Sequence, residues 1–228
     1  FPHHTNEIAQ SEAASGKKFV NYWLHNEHLL VDGKKMSKSL GNFYTLRDLL
    51  DKGYDPKSIR YLLLSTHYRQ KLNFTFETLD SAKAPIERLQ EFVRNLSHIK
   101  SSKDNKKVQP LITKAEKEFE AKLDNDLNIS EALAVIFDFI RDINKLEISK
   151  SDAKIVISTI FKFNEIIGVL DKQKKEPPPA TIKKLIDDRE QARKNKDFEK
   201  ADKLRDELKN KGIELDDAPE GVRWKKIT

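Results

Sequence analysis

The sequence predicts a mainly α-helical chain with short strands near both ends, and three observations indicate this class. The 228 residues include only 7 Gly against 43 Lys+Arg and 37 Asp+Glu, a balance that favours helices over turn-rich β folds. Apolar residues recur with helical spacing through most of residues 45–211. Residues 1–45 instead mix short apolar runs with turn signals, and two short strand patterns follow Gly212.

Short strands and one turn are expected within residues 1–45. Residues 19–24 are apolar enough to form a strand or a buried segment, and residues 28–31 have the pattern of a short strand. Asp32 and Gly33 follow directly and are typical of a tight turn.

Three helices are expected in the next part of the chain. Thr45 is the predicted N-cap of the first, and Pro56 lies near the start of the second. The third begins near residues 76–77, and Pro85 within its pattern should kink it or split it in two. The polar residues 100–109 predict a solvated loop.

A helical bundle is predicted after that loop. One helix is expected over residues 111–123, and residues 125–128 interrupt its pattern. A second helix should start at Ser130, and a third should start at Ser151 and end at Gly168.

The end of the chain has a different composition and predicts a small α+β unit. The proline triplet at residues 177–179 cannot lie inside a helix and marks a boundary. Residues 181–211 are a charged helical stretch that Asn195 divides, with Gly212 as the candidate C-cap. Two strand patterns within residues 213–224 then predict a hairpin.

Charge and composition exclude several classes of protein. The net charge of +6 indicates an anionic partner, with nucleic acid as the first candidate, although a lysine-rich surface explains the charge equally well. The absence of cysteine excludes a disulfide framework, a thiolate nucleophile and an all-cysteine zinc site within this chain. No apolar run approaches the roughly 18 residues of a membrane helix, and no signal peptide is evident. The start at Phe1, without Met, suggests a cut inside a longer protein.

The strongest chemical signal is a short loop with a lysine near each end. Its residues are Lys35, Met36, Ser37, Lys38 and Ser39, and Gly41 lies two residues beyond. Lysine ammonium groups neutralise phosphate charge, while hydroxyls and backbone N–H groups add donors. A leaving pyrophosphate needs stabilisation of this type. On composition alone, an ordinary solvated loop is the alternative.

These five residues spell the KMSKS signature of class I aminoacyl-tRNA synthetases. Their setting, from Val31 to Asn42, resembles the subgroup that contains the cysteine, methionine and branched-chain enzymes. Residues 1–10 resemble the segment of cysteinyl-tRNA synthetases that supplies two zinc ligands. The resemblance assigns these ligands to His3 and Glu7, which share one face of a helix at i and i+4.

Two other readings of that helix stay open. His4 is the alternative ligand because it reaches Glu7 at i+3, and a surface ion pair is the alternative to a metal site. In the family the remaining ligands are cysteines. Since this chain has no cysteine, only part of the zinc site is expected here.

The resemblance covers nearly the whole chain and implies four regions. Residues 1–45 would be the C-terminal edge of a Rossmann-type α/β catalytic domain with the KMSKS loop, and residues 46–110 a stem-contact helical region. Residues 111–172 would be a DALR-like helical bundle, and residues 173–228 a small anticodon-binding α+β domain. The HIGH-type motif of class I enzymes is missing, which suggests the C-terminal portion of such an enzyme.

The implied activity is the ATP-dependent ligation of cysteine to its tRNA through cysteinyl-adenylate. Zn²⁺ would recognise the thiol of the substrate, and Mg²⁺ would accompany ATP. Lys38 is the expected main phosphate contact with Lys35 in support, while Met36, Ser37 and Ser39 complete the ATP-binding loop. The enzyme is expected to be a cytoplasmic monomer, and the 228-residue chain alone is expected to be inactive.

Further residues are expected to line the binding sites. Those expected to contact the tRNA are Arg189, Arg193, Arg223 and Trp224. The alternative for Trp224 is packing on the helices of the small C-terminal unit, and the alternative for Arg189 and Arg193 is a solvated helix face. Trp23 and His25 are candidates for the cysteine or adenosine pocket, with a place in the core as the alternative for Trp23. Two rival functions remain, a related ligase that joins cysteine to an amino-sugar and a non-catalytic RNA-binding module.

Overall fold

The computed structural model describes residues 2–171, 180–195, 197–218 and 221–226. The chain divides into two compact units, Phe1–Leu170 and Asp171–Thr228. The mainly α-helical class is confirmed. Among the described residues, no helix has the length and apolar character that crossing a membrane requires.

The first unit contains eight α-helices among its described residues, together with one turn of 3₁₀ helix and three short strands. The helices are α1 (Pro2–Ser15), α2 (Leu46–Asp51), α3 (Pro56–Leu64), α4 (Phe76–Ser81), α5 (Lys83–Ser97), α6 (Val108–Asp124), α7 (Ile129–Ile143) and α8 (Lys150–Ile167). The strands are β1 (Leu29–Val31), β2 (Lys34–Lys35) and β3 (Leu72–Phe74).

A three-stranded sheet in the order β2-β1-β3 supports the loop that follows β2. β1 pairs antiparallel with β2 and parallel with β3. The turn between β1 and β2 has positive φ at both Asp32 (50°) and Gly33 (72°), as a tight two-residue hairpin requires. The predicted strand at residues 28–31 and the turn after it are therefore confirmed.

The expectation for residues 19–24 was wrong. The segment forms neither helix nor strand, and Tyr22 is 84% exposed. Phe19, Trp23 and Leu24 are exposed as well. A strand needs a neighbour to complete its hydrogen-bond ladder, and none of the described strands pairs with this segment.

The helix boundaries after the sheet follow local capping. Thr45 and Asp48 form a capping box at the start of α2, and Pro56 is the first residue of α3. The third predicted helix is split into α4 and α5 at Ala82, three residues before Pro85. A proline clashes with the carbonyl four residues before it. The break between α4 and α5 lies within the four residues that precede Pro85.

Helices α5 to α8 form the larger core of the first unit. Its fully buried side chains include Leu89, Ile136, Ile140, Val156 and Ile160. The N-caps of α7 and α8 are Asn128 and Ser149, each two residues before the predicted start. α8 ends at Gly168, as predicted, where φ is 64°.

The second unit is a helical pair followed by a hairpin. α9 (Ala180–Lys194) and α10 (Phe198–Asn210) are separated at Asn195, as predicted. β4 (Ile213–Ala218) and β5 (Gly221–Lys226) pair antiparallel, which confirms the hairpin. The core is Ile182, Ile186, Leu208, Ile213 and Leu215. The proline triplet at residues 177–179 lies outside the described residues.

Candidate functional site

The loop after β2 is a compact, capped turn. Lys35 ends β2, and the residues Lys38–Leu40 form one turn of 3₁₀ helix. The Ser37 side chain accepts a hydrogen bond from the Leu40 N–H at 3.3 Å. Gly41, at a φ of 66°, donates its N–H to the Lys38 carbonyl at 3.2 Å. The loop therefore has a defined backbone conformation that Gly41 allows.

Asn42 holds the two ends of this loop together. Its Nδ2 donates to the Lys35 carbonyl at 3.2 Å and lies 3.5 Å from the Val31 carbonyl. Its Oδ1 accepts the Ser37 N–H at 2.9 Å. Asn42 was part of the recognised motif but had no predicted role. The sequence feature that could have indicated this role is a side-chain amide directly after Gly41, because one amide can both donate and accept hydrogen bonds and so close a loop.

The side chains of the loop divide into an anchor and an exposed polar face. Met36 packs against the small core around the sheet, whereas Lys35 and Lys38 are exposed. The Ser37 and Ser39 hydroxyls lie 3.2 Å apart. Lys38 Nζ lies 5.6 Å from the centroid of the Phe43 ring. Two ammonium groups and two hydroxyls on one short loop are suited to bind a phosphate group.

A second contact fixes the sheet beneath the loop. Asn73 in β3 accepts the Gly33 N–H at 2.7 Å with its side-chain oxygen. Val31 and Phe74, paired across β1 and β3, are buried in the adjacent core. The hairpin that leads into Lys35 is therefore held from the neighbouring strand as well as by Asn42.

The candidate metal ligands lie on α1, as predicted. His3 and Glu7 are both exposed on this helix. The His4 ring lies 4.1 Å from that of His3 and 4.8 Å from that of His25, measured between centroids. Partial burial, followed by the charges of His3 and His25, lowers the pKa of His4. A lowered pKa favours the neutral imidazole, which is the form that binds metals.

Trp23 belongs to the same cluster and lies outside the core. Its ring centroid is 4.6 Å from that of His4 and 6.4 Å from that of His25. The structure thus brings together Trp23 and His25, the two pocket candidates, beside the helix that carries His3.

The part of the chain that the structure describes does not supply a complete metal site. Among those residues there is no group of three or more His, Cys, Asp or Glu side chains arranged to hold an ion. His3 and Glu7, one helical turn apart, are residue types that bind zinc, and a tetrahedral site would need further ligands beside them.

The predicted tRNA-binding residues have different surroundings in the second unit. Arg193 is exposed on α9, whereas Arg189 is only 3% exposed. This burial favours a role for Arg189 in packing the unit over direct contact with a phosphate. Arg223 and Trp224 lie in β5, opposite Asp216 and Leu215, and their side chains are outside the described part.

Three family models match successive parts of the chain. The model described as "tRNA synthetases class I (C) catalytic domain" matches residues 1–84. The DALR domain model matches residues 118–171, and the model of the cysteinyl-tRNA ligase anticodon binding domain matches residues 178–224. The fold is therefore the edge of a class I synthetase catalytic domain, followed by a helical DALR domain and a small unit of two helices and a hairpin.

Curated relatives match over almost the whole chain. A Cysteine–tRNA ligase of Protochlamydia amoebophila is 49% identical over 231 residues, which cover 99% of this chain and 48% of that protein. A Cysteine–tRNA ligase of Brachyspira hyodysenteriae is 45% identical over 238 residues, covering 99% of this chain and 50% of that protein. The chain thus spans about half the length of these relatives.

A solved structure shares the fold. It is the agnB2 LeuRS of Agrobacterium radiobacter in a ternary complex with tRNA and LeuAMS. The TM-score is 0.53 at 15% sequence identity, and the match covers 72% of this chain and 23% of that one. At this level of identity the likeness concerns the fold alone.

Proposed function

The chain belongs to the family of cysteinyl-tRNA synthetases, and from this premise we propose that it serves the ATP-dependent ligation of cysteine to its tRNA through cysteinyl-adenylate. The observation that carries the proposal is the loop of residues 35–39, which Asn42 closes and which presents Lys35 and Lys38 to solvent. Such a loop is suited to a substrate that bears several phosphate groups.

Lys38 is the proposed main contact with the phosphates of ATP, supported by Lys35. Negative charge develops on the leaving pyrophosphate during adenylate formation, and a fixed cation beside it stabilises that charge most in the transition state. Ser37 and Ser39 add hydroxyl donors, while Met36 anchors the loop on the core. Mg²⁺ bound to ATP would neutralise further phosphate charge.

Zinc is the proposed means of selecting cysteine. His3 and Glu7 would hold it from α1, with His4 as the alternative ligand, and the remaining ligands would come from outside the described residues. When bound, zinc supplies affinity for a thiolate that a serine hydroxyl lacks. A hydrophobic pocket separates near-isosteric substrates only weakly.

The metal assignment has its own test. We expect His3→Ala and Glu7→Ala to lower the zinc content of the gene product at its natural full length. Gln10→Ala, an exposed change on the same helix, should leave it unchanged. Full zinc content in both ligand variants would contradict the assignment.

The tRNA would be bound through the second unit and the helical bundle. Exposed Arg193 is the proposed phosphate contact, and Arg223 and Trp224 are proposed to meet the unstacked anticodon bases. Arg189 would support this surface from its buried position. We place the protein, as a monomer, in the cytoplasm, where translation consumes charged tRNA.

The proposal is tested by the fate of labelled cysteine. The gene product at its natural full length is incubated with labelled cysteine, ATP and tRNA, and acid-precipitable label is counted. We expect label on the tRNA when labelled cysteine is supplied, and none when labelled serine is supplied in its place. Transfer to an amino-sugar instead of tRNA, or binding of tRNA without any transfer, would overturn the proposal in favour of one of its rivals.

A further inference from the structure

The side chains of a turn at residues 67–69 all contact a single residue of the helical bundle, Asp126. The Tyr68 hydroxyl donates to Asp126 Oδ1 at 2.6 Å, and Arg69 Nε lies 2.7 Å from Asp126 Oδ2. Arg69 Nη2 donates to Oδ1 at 3.2 Å. His67 Nε2 lies 2.9 Å from the Asp126 carbonyl oxygen. Three consecutive side chains thus converge on one residue from a distant part of the chain.

Asp126 adopts a backbone conformation that needs such support. It lies in the break between α6 and α7, where φ is 56° at Asp126 and 55° at Leu127. Non-glycine residues adopt these left-handed angles at a cost in energy, and they persist where surrounding contacts fix them. The contacts from residues 67–69 supply that fixation for Asp126.

The same turn reaches the segment that leads into the candidate site. The main-chain carbonyl of Tyr68 accepts the Glu27 N–H at 2.8 Å. Glu27 lies between His25, whose ring centroid is 4.8 Å from that of His4, and β1, which begins the hairpin into the KMSKS loop. Residues 67–69 therefore connect the bundle on one side with the approach to the site on the other.

A second tie holds the preceding helix to the bundle. Arg60 in α3 donates through Nε to the Ile167 carbonyl at 2.5 Å and through Nη2 to the Ile166 carbonyl at 3.0 Å. These carbonyls end α8, where helix C-termini carry partial negative charge and lack internal partners. Besides the apolar packing of Tyr61 and Leu64 on the larger core, the bundle is thus held by polar contacts at two separate places, one of which is Asp126.

The electrostatics at Asp126 agree with a maintained contact. The hydrogen bond from Tyr68, followed by the hydrogen bond and charge of Arg69, lowers the pKa of Asp126. The hydrogen bond from Arg69 to the Tyr68 hydroxyl, followed by the hydrogen bond to Asp126 and the charge of that carboxylate, raises the pKa of Arg69. Hydrogen bonds between ionised partners are stronger than those between neutral groups.

We propose that Asp126 is a positioning residue for the tRNA-dependent step, because it fixes the helical bundle relative to the segment that leads into the KMSKS loop. The inference rests on the proposed function. Adenylate formation needs only the small substrates at the loop. Transfer needs a tRNA that binds domains beyond the catalytic segment while its 3′ end reaches the adenylate, so it depends on how those domains are held.

The test compares the two half-reactions in the gene product at its natural full length. Cysteine-dependent ATP–pyrophosphate exchange is measured without tRNA, and kcat/KM for tRNA is measured in cysteinylation. Asp126→Gly removes the side-chain contacts while tolerating the left-handed backbone. We expect it to lower kcat/KM for tRNA about tenfold, a typical size for coupling between sites, and to leave exchange nearly unchanged.

Two further variants separate positioning from loss of fold. Asp126→Asn keeps an acceptor for Tyr68 and should recover part of the lost charging activity. Asp124→Ala, an exposed change at the end of α6, should behave like the wild type. An equal fall in both half-reactions, or no fall in either, would overturn the inference. A wild type that fails to charge tRNA would instead contradict the proposed function, before any variant is compared.

Discussion

The side chain of Asn42 donates a hydrogen bond to the main-chain carbonyl of Lys35 at 3.2 Å and so joins the two ends of the loop that carries Lys38. Its oxygen accepts the Ser37 N–H from within the loop. One amide thus determines where the loop leaves the sheet and where it returns. The position of the Lys38 ammonium group depends on this closure, since the lysine itself is exposed.

Replacing Asn42 should slow adenylate formation. Asn42→Ala removes the hydrogen bonds that close the loop, and at about 0.5–1.5 kcal/mol for each bond we expect a loss of roughly 10- to 100-fold. Single-turnover formation of cysteinyl-adenylate measures it. Asn42→Asp keeps the acceptor for Ser37 but turns negative oxygens toward the Lys35 carbonyl, so it should not rescue the rate. Wild-type rates in both variants would contradict this account, and exposed Asn21→Ala is the control.

The salt dependence of tRNA binding should distinguish the two arginines of α9. Arg193→Ala removes an exposed charge, so the affinity for tRNA should weaken. The negative slope of log K against log salt should become shallower by about one. Arg189→Ala changes a buried residue and should mainly lower the thermal stability of the second unit. Fluorescence anisotropy with labelled tRNA at several salt concentrations measures the slope. A salt response that is flat in the wild type would contradict electrostatic docking.

Tyr68→Phe should raise the pKa of Asp126 toward the ordinary range of an aspartate. The Tyr68 hydroxyl is the largest cause of the lowered value. With a folded-state pKa below the unfolded one, the ionised carboxylate stabilises the fold above pH ~4 and loses this effect as the pH falls through the folded-state value. In the variant the stabilisation is smaller, and its loss is complete at a higher pH. A carboxyl-carbon NMR titration measures the midpoint, and an identical midpoint in both proteins would refute the assignment.

Gly168 offers a test of the contact between α3 and α8. A Cβ on Gly168 would lie 3.0 Å from Arg60 Nε, whereas a Cβ on Gly53 would meet nothing within 4 Å, and both glycines have positive φ. Gly53→Ala should therefore cost about 1–2 kcal/mol of unfolding free energy from backbone strain alone. Gly168→Ala should cost more because Arg60 must also shift. Chemical denaturation measures both, and equal losses would argue against the Arg60 contact.

Local signals predicted most of the elements around the site. Capping and turn geometry depend on residues only a few positions apart. The sequence near Thr45, Pro56 and the Asp32–Gly33 pair is therefore sufficient to predict the helix starts and the turn. The N-caps of α7 and α8 were misplaced by two residues because Ser130 and Ser151 also follow a break, and several nearby polar side chains can compete for the same free N–H groups.

Contacts between distant residues could not be predicted in this way. Tyr68 and Asp126 are 58 positions apart, and no periodicity relates them. Residues 19–24 are apolar, but burial depends on a neighbouring surface that local pattern does not supply. The burial of Arg189 was foreseeable, since it continues the spacing of Ile182 and Ile186 on the buried face of α9. The charge of the side chain directed attention away from that spacing.

The most direct test of the central claim is the rate of cysteinyl-adenylate formation in a single turnover by the gene product at its natural full length. Lys38→Ala should slow it by about 10²–10³-fold, as the loss of one donor to a developing charge does in other enzymes. Lys34→Ala, an exposed change in the same hairpin, should leave the rate nearly unchanged. An unaltered rate in Lys38→Ala would contradict the claim that this loop stabilises the leaving pyrophosphate.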